Sequence, residues 1–171
     1  HATLSGRAPG GPGAVPMLGE GPKTHLKRPW ASLFADAERL ANEGFIVSPR
    51  LAGMIASPRV PQNAAPDVIA YFTKPDGTRY VAGDRLINTA YGKTLRMLAD
   101  GGAVALYEGP LAEAITARAQ QAPLPGTLAV ADLDRYRPRS APALCRPYRV
   151  YRVCTAPPPS SGVAVLQGLM M

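Results

Sequence analysis

Three consecutive prolines, Pro157-Pro158-Pro159, fix three φ angles and remove three backbone donors, so no regular element can run through them. The stretch before them, Tyr148-Arg149-Val150-Tyr151-Arg152-Val153-Cys154, alternates apolar and basic residues and reads as a strand. The stretch after them opens with Ser160-Ser161-Gly162 and continues as the apolar run Val163-Ala164-Val165-Leu166-Gln167-Gly168-Leu169-Met170-Met171. That run reads as a helix, with Ser160 or Ser161 as its cap. A cap satisfies one early N–H and leaves the others free, so a strand, a rigid turn and a helix start can line a polar or anionic site. The same parts also make a plain structural corner, which is the simpler account on residue chemistry alone.

The 171 residues are 46% hydrophobic, enough for one domain with a real core. Nineteen prolines and 17 glycines imply many short elements divided by turns, not a bundle of long helices. No run approaches the roughly 20 apolar residues of a membrane span. The segment His1-Ala2-Thr3-Leu4-Ser5-Gly6-Arg7 has no apolar core, so no signal peptide is expected there, which leaves export open.

The formal net charge is +7, and 15 of the 19 basic residues are arginine. Arg135, Arg137, Arg139, Arg146, Arg149 and Arg152 lie close together, with Tyr136, Tyr148 and Tyr151 among them. A nucleic-acid surface is one reading of such a cluster. No RRM, zinc-finger or helix-turn-helix signature accompanies it, so the expectation is no nucleic-acid partner. The plainer reading is a solvated strand face with ion pairs between elements. Cys145 and Cys154 are too few for a disulfide framework and are expected as buried free thiols. The only histidines are His1 and His25, so no metal site is expected.

Along the chain, residues 1–16 read as loop. A short helix is expected from Pro16 to Lys27, interrupted at Gly21-Pro22. The best helical pattern spans Pro29 to Gly44, where Trp30, Leu33, Phe34, Ala37, Leu40 and Ala41 form one apolar stripe. Trp30 is expected to be buried with Leu33, Phe34 and Ala37, and Phe45-Ile46-Val47 to enter the core. Ser48-Pro49 caps a helix through Leu51, Met54 and Ile55, ended by Pro58 and Pro61. Asp67 to Phe72 is a helical turn, and Asp76-Gly77 carries a hairpin signal. Further helices are expected over Asn88 to Asp100, Leu111 to Gln121 and Ala131 to Tyr136. Helices come first and the sheet late, so the expected class is α+β. The boundaries are one partial domain over 1–171, with a helical lobe at about 16–136 and the strand and helix at about 144–171.

No complete catalytic set is visible. His25 sits in a segment broken by glycine and proline, and nothing places it near Ser160. Glu20, Glu38, Glu43, Glu108 and Glu113 show no hydrolase-like pairing. Gly10-Gly11-Pro12-Gly13 lacks the lysine and hydroxyl residue that follow in a phosphate loop.

A set of short motifs, taken in order, is more informative. Pro12-Gly13-Ala14-Val15-Pro16 is followed by Pro29-Trp30-Ala31-Ser32-Leu33-Phe34, Arg39-Leu40-Ala41 and Glu43-Gly44-Phe45. Then come Gly83-Asp84, Thr94-Leu95-Arg96-Met97-Leu98-Ala99, Tyr107-Glu108-Gly109 with Leu111-Ala112, and Asp132-Leu133 with Tyr136. Tyr148-Arg149, Tyr151, Val153 and Pro157 to Gly162 close the series. In this order and spacing, over residues 12–169, the chain resembles the large subunit of γ-glutamyltranspeptidases, N-terminal-nucleophile hydrolases that act on glutathione.

The resemblance implies part of an αββα fold, a small catalytic subunit of the same precursor as partner, and γ-glutamyl compounds such as glutathione as substrates. It implies no cofactor, and a periplasmic or secreted location. It also implies that the catalytic residues are outside this chain. The family's nucleophilic threonine opens the small subunit, and its own α-amine serves as base. His1 cannot fill that role, and Thr3 is not the first residue. The family's carboxylate-binding arginine lies upstream of the matched region, and Arg7 is too close to the first motif to be it. No substrate-binding residue is assigned, and Ser160, Ser161 and Gly162 remain as a turn that can line a site. Three departures stand out: Val163 replaces a second glycine, Ala129 replaces a threonine cap, and Gly21-Pro22 falls in a normally helical stretch. A related acylase, such as a cephalosporin acylase, and a non-catalytic truncated binding or scaffold protein are the alternative readings. The strand Tyr148–Cys154 and the run Val163–Met171 are expected to expose an unmet apolar interface.

Overall fold

The structure, a computed structural model, describes residues 5–7, 9–24, 27–121 and 124–171, with the backbone alone at 21–24. His1, Thr3 and His25, and the expectations attached to them, lie outside the described residues. The chain divides into two compact units, one through Arg137 and one of Pro138–Met171.

The first unit is built from short helices. They are α1 (Ala14–Thr24), α2 (Ala35–Glu43), α3 (Pro49–Ala56), α4 (Pro66–Tyr71), α5 (Thr89–Gly101), α6 (Gly109–Ala119) and α7 (Val130–Asp134). Helix α1 begins at Ala14 and runs through Gly21-Pro22, which the sequence pattern treats as an interruption. Pro22 falls near the helix end, where a missing N–H removes one intrahelical bond without splitting the element. The segment expected as one helix over 29–44 is two: a 3₁₀ turn at Trp30–Leu33, then α2. Gly44 follows α2 at φ +86, and a Cβ there would come within 2.8 Å of the Arg85 and Ile87 side chains.

The apolar stripe of this segment is buried only in part. Ala41 is buried and Trp30 and Phe34 are half-buried, whereas Leu33, Ala37 and Leu40 are exposed. Trp30 therefore does not sit in a closed core. Its ring meets Phe34 edge-on at 4.9 Å, and its indole N–H donates to the Leu98 carbonyl at 2.7 Å. This ties the 3₁₀ turn to α5, which packs on α2 through Leu95, Leu98 and Ala99. Gly92 of α5 leaves room for Asn42, since a Cβ would lie 2.8 Å from its Cγ. Across the same pair, Arg96 holds the Glu38 carboxylate by two hydrogen bonds, one of them 3.0 Å long.

Two apolar clusters anchor the rest. Val47, Ile55 and Leu86 form one, with Leu51, Phe72 and Tyr80 around it. Phe45 and Ile46 instead form the strand β1, which pairs antiparallel with β2 (Arg85–Leu86), and both are exposed. This two-residue sheet is absent from the helices-first expectation, because two residues are too few to show a period. Ser48 caps α3, its hydroxyl accepting from the Leu51 N–H at 3.2 Å. At the other end of α3, the Asn63 amide donates to the carbonyls of Met54, Ile55 and Ser57. The Asp76-Gly77 turn forms with Gly77 at φ +83, flanked by a single bridge between Thr73 and Arg79.

Tyr107, Ala112 and Leu133 make the second cluster. The Tyr107 ring stacks on Tyr136 at 5.8 Å, and its hydroxyl donates to the Pro12 carbonyl. A Cβ on Gly13 would strike the Tyr136 ring. The glycine-rich segment at 10–13 is thus a packing seat for two tyrosines. At α7, Ala129 supplies no capping oxygen, and Asp132 compensates from the third helical position by accepting the Ala129 N–H at 2.9 Å.

Candidate functional site

The second unit carries the Pro157–Gly162 turn. It consists of β3 (Leu144–Tyr148), β4 (Tyr151–Thr155) and α8 (Gly162–Met170). The single strand expected over 148–154 is a hairpin, with Tyr148 paired to Tyr151 and Leu144 to Thr155. The strand breaks at Arg149, which adopts a left-handed φ of 54. Two-residue hairpin loops need positive φ and usually signal it with Gly or Asn, so Arg149-Val150 gives no warning in the sequence.

Alternation assigns the two faces of the hairpin. Leu144, Tyr148, Val153 and Thr155 are half-buried along one face, and α8 packs against the hairpin. Cys145 and Cys154 sit directly opposite each other on the other face and form a disulfide, their Cα atoms 4.1 Å apart. The expectation of buried free thiols is therefore wrong: the pair is bonded, Cys145 half-buried and Cys154 exposed. Two cysteines nine residues apart meet only because the hairpin folds midway between them, and that fold is the feature the alternation conceals.

After Thr155 the chain turns. The Ser160 N–H donates to the Pro157 carbonyl at 3.2 Å, and the Pro158–Pro159 peptide is cis. Ser161 stands at the cap position of α8 but has helical dihedrals (φ −68, ψ −5), and its side chain makes no capping bond. Its carbonyl accepts from Ala164 at 3.0 Å. The Ser160 hydroxyl instead accepts from the Gly162 N–H, at 3.4 Å. The expected serine cap is replaced by this weaker contact, because a helical Ser161 cannot turn its hydroxyl back over the first turn. Both serines are exposed and Gly162 is buried. A Cβ on Gly162 would overlap the Thr155 hydroxyl and lie 2.7 Å from the Thr155 Cβ and Cγ2. Gly162 is what lets the start of α8 seat on the end of β4.

Beside this turn, β3 and α8 enclose an open groove of about 590 Å³, lined by Leu144, Arg146, Val163, Leu166, Gln167 and Met170. Val163, in place of the expected second glycine, forms part of its wall. The apolar run 163–171 is split: Leu166 is buried and Val163 half-buried, while Val165 and Met170 are exposed. Residues 138–171 contain Arg139, Arg146, Arg149 and Arg152 and no Asp, Glu, His or Lys. The unit therefore has positive potential and no side chain to act as general base. A free hydroxyl beside a helix start can position a polar or anionic group, whereas deprotonating either serine needs a base from elsewhere.

The remaining sequence candidates have local partners of their own. Arg149 lies 5.3 Å from the Tyr148 ring, and Arg137 donates to backbone carbonyls of Asp134 and Tyr136. Among the described residues, no arginine of the 135–152 cluster joins an ion pair, contrary to the expected pairing between elements. Arg7 is exposed and donates to the Pro125 carbonyl at 3.4 Å. Among the described residues, no cluster of His, Cys, Asp and Glu could hold a metal ion, and no helix is long and apolar enough to cross a membrane.

A family model described as Gamma-glutamyltranspeptidase matches residues 1–171. The Glutathione hydrolase proenzyme of Arthroderma benhamiae is 33% identical over 172 residues, covering 99% of this chain and 29% of its own length. Among solved structures, gamma-glutamyltranspeptidase of Helicobacter pylori superposes with a TM-score of 0.83 at 27% identity, over 92% of this chain and 45% of that one. Cephalosporin acylase from Bacillus halodurans superposes with a TM-score of 0.77 at 31% identity, over 92% of this chain and 30% of that one. The expected α+β class and its N-terminal-nucleophile hydrolase setting therefore hold, and the chain spans less than a third of the Arthroderma relative.

Proposed function

The chain belongs to the gamma-glutamyltranspeptidase family, and from that premise we propose that it is a large-subunit portion of an enzyme that hydrolyses or transfers γ-glutamyl groups, with glutathione among its substrates. The observation that carries the reading is the family match along the whole chain, joined to a shared fold over nearly all of it. In this reading a threonine of the small subunit, made from the same precursor, attacks the γ-glutamyl amide carbonyl. The threonine's α-amine takes the hydroxyl proton and passes it to the amide nitrogen, the C–N bond breaks, and a γ-glutamyl-enzyme ester forms as the amine leaves. Water or an acceptor amine then attacks the ester and regenerates the threonine.

Residues 1–171 supply scaffold and surroundings to this chemistry, not reacting groups. The Ser160-Ser161-Gly162 turn lines the site with polar atoms. The Tyr151 side of the hairpin and the exposed face of α8 are covered by the small subunit, which accounts for the exposure of Tyr151, Val165 and Met170, while the opposite hairpin face with Arg152 and Cys154 stays open to solvent. A second reading, an acylase of the same fold, draws on the similarity to the Bacillus cephalosporin acylase.

The test uses the whole precursor encoded by the same reading frame, purified after any self-cleavage. Release of nitroaniline from a γ-glutamyl nitroanilide, with glutathione as competitor, is the expected result. The chain 1–171 alone is expected to be inactive. Turnover of a cephalosporin side-chain amide without turnover of the γ-glutamyl anilide would replace the first reading by the second. A reading frame with no threonine-led small subunit would leave the non-catalytic scaffold.

A further inference from the structure

The hairpin that carries the turn has almost no core of its own. Within Pro138–Met171 the buried residues are Gly162 and Leu166. β3 and β4 form a sheet of two strands, and such a hairpin is marginal in water by itself. The covalent tie between the strands is Cys145–Cys154, with a sequence separation of 9. Thr155 follows Cys154 directly, and Thr155 is the residue on which Gly162 seats. The bond is thus one residue from the contact that fixes the turn to the end of β4.

The surroundings of this bond favour thiol exchange. Cys154 is exposed and Cys145 half-buried, so a small thiolate can reach the sulfurs from solvent. Arg152, two residues along β4 from Cys154, lies on the same face of the strand and is exposed. The unit has four arginines and no acidic side chain. Positive surroundings draw in an anionic thiolate and stabilise the thiolate that leaves.

We propose that Cys145–Cys154 is a redox lock on the turn: oxidised, it holds the β3–β4 hairpin and the Pro157–Gly162 turn in place, and an anionic low-molecular-weight thiol opens it and releases both. A thiolate attacks the Cys154 sulfur, forming a mixed disulfide. The Cys145–Cys154 bond breaks, and Cys145 leaves as a thiolate that takes a proton from water. A second thiolate attacks the small-molecule sulfur of the mixed disulfide and releases Cys154. Two small thiols lose two electrons and become one disulfide, while the protein disulfide gains them and becomes two thiols. The turn is therefore ordered in an oxidising compartment and loosened in a reducing one. This stands on the hairpin alone and does not depend on the γ-glutamyl reading.

The experiment places the full chain in glutathione buffers of graded reduced-to-oxidised ratio. It reads the cysteine pair by alkylation and mass spectrometry, and amide hydrogen exchange by peptide. As the pair is reduced, exchange over 144–155 and 162–170 is expected to rise roughly a hundredfold, the order set by removing a cross-link around so short a loop. Exchange over α5 should not change. A Cys145→Ser/Cys154→Ser chain should show the fast rate at every ratio. Arg152→Ala should slow reduction by glutathione several-fold, and slow reduction by 2-mercaptoethanol, whose thiolate carries less charge, much less. Unchanged exchange over 144–170 on full reduction, an equal rise in α5, or free thiols in the oxidised chain would each overturn the lock. An Arg152→Ala chain reduced at the original rate would overturn its selectivity for anionic thiols.

Discussion

Replacing Gly162 by alanine tests the geometry of the turn most directly. Local propensity favours the change. Gly162 is the first residue of α8 and does not have a positive φ, and alanine is the better helix former by up to about 1 kcal/mol. The narrower unfolded ensemble of an alanine chain is the source of that preference, not a further gain. Packing opposes it. The new methyl would overlap the Thr155 hydroxyl and lie 2.7 Å from Thr155 Cβ and Cγ2. Unstrained carbon pairs sit about 3.5–4.0 Å apart. Rotating Thr155 about χ1 can move the hydroxyl and Cγ2 but not Cβ, so the helix start must lift from the strand. Overpacking of this kind costs about 1–3 kcal/mol, and here it also gives up part of the burial of Leu166. The steric term should win by about 1–2 kcal/mol. Amide exchange over 162–170 should then speed up roughly 5- to 30-fold, at 1.4 kcal/mol per decade. Thr155→Gly should restore much of the loss, giving a positive coupling in the double-mutant cycle. Slower exchange in Gly162→Ala, or no coupling to Thr155→Gly, would refute the packing argument and leave propensity as the governing term.

Trp30→Phe keeps the ring contact with Phe34 but removes the indole donor to Leu98, and should lower stability by about 1 kcal/mol in a denaturant titration. Asn63→Ala strips a shared donor from the carbonyls of Met54, Ile55 and Ser57, and should cost about 1–2 kcal/mol, read as faster exchange at the end of α3. The Asp84 carboxyl is held below the usual carboxylate range by the Val81 N–H and by Lys74, whose ammonium lies 3.1 Å away. Between the folded and unfolded pKa values the unfolded chain binds more protons, so stability rises with pH there. That contribution is complete above the unfolded value near 3.8 and is lost as pH falls through the lower folded value, so Asp84→Asn should flatten the acid limb of a pH–stability curve.

Much of the fold is legible in the sequence because it depends on local rules. Pro49 after Ser48 starts α3, Gly44 ends α2, and Asp76-Gly77 makes a turn, each set by backbone sterics or a neighbouring hydrogen bond. The order of short motifs along the chain is enough to place it in its family, because those motifs mark turns and helix ends spaced by the fold. The site is less legible. Strand, turn and helix can be read around Pro157-Pro158-Pro159, but the roles of the two serines cannot, since Ser161 caps nothing and Ser160 reaches Gly162 only weakly.

What tertiary structure alone decided follows from contacts between residues far apart or of no distinctive pattern. Arg149 takes a left-handed conformation that only the closed hairpin calls for, and this brings Cys145 opposite Cys154. Gly162 must be glycine because Thr155 stands against it, a fact about spacing in space that no alternation in sequence encodes. Half of the Trp30 stripe is exposed although its period is that of a buried helix face. Periodicity records which side chains share a face, and only the packed chain decides which faces are covered.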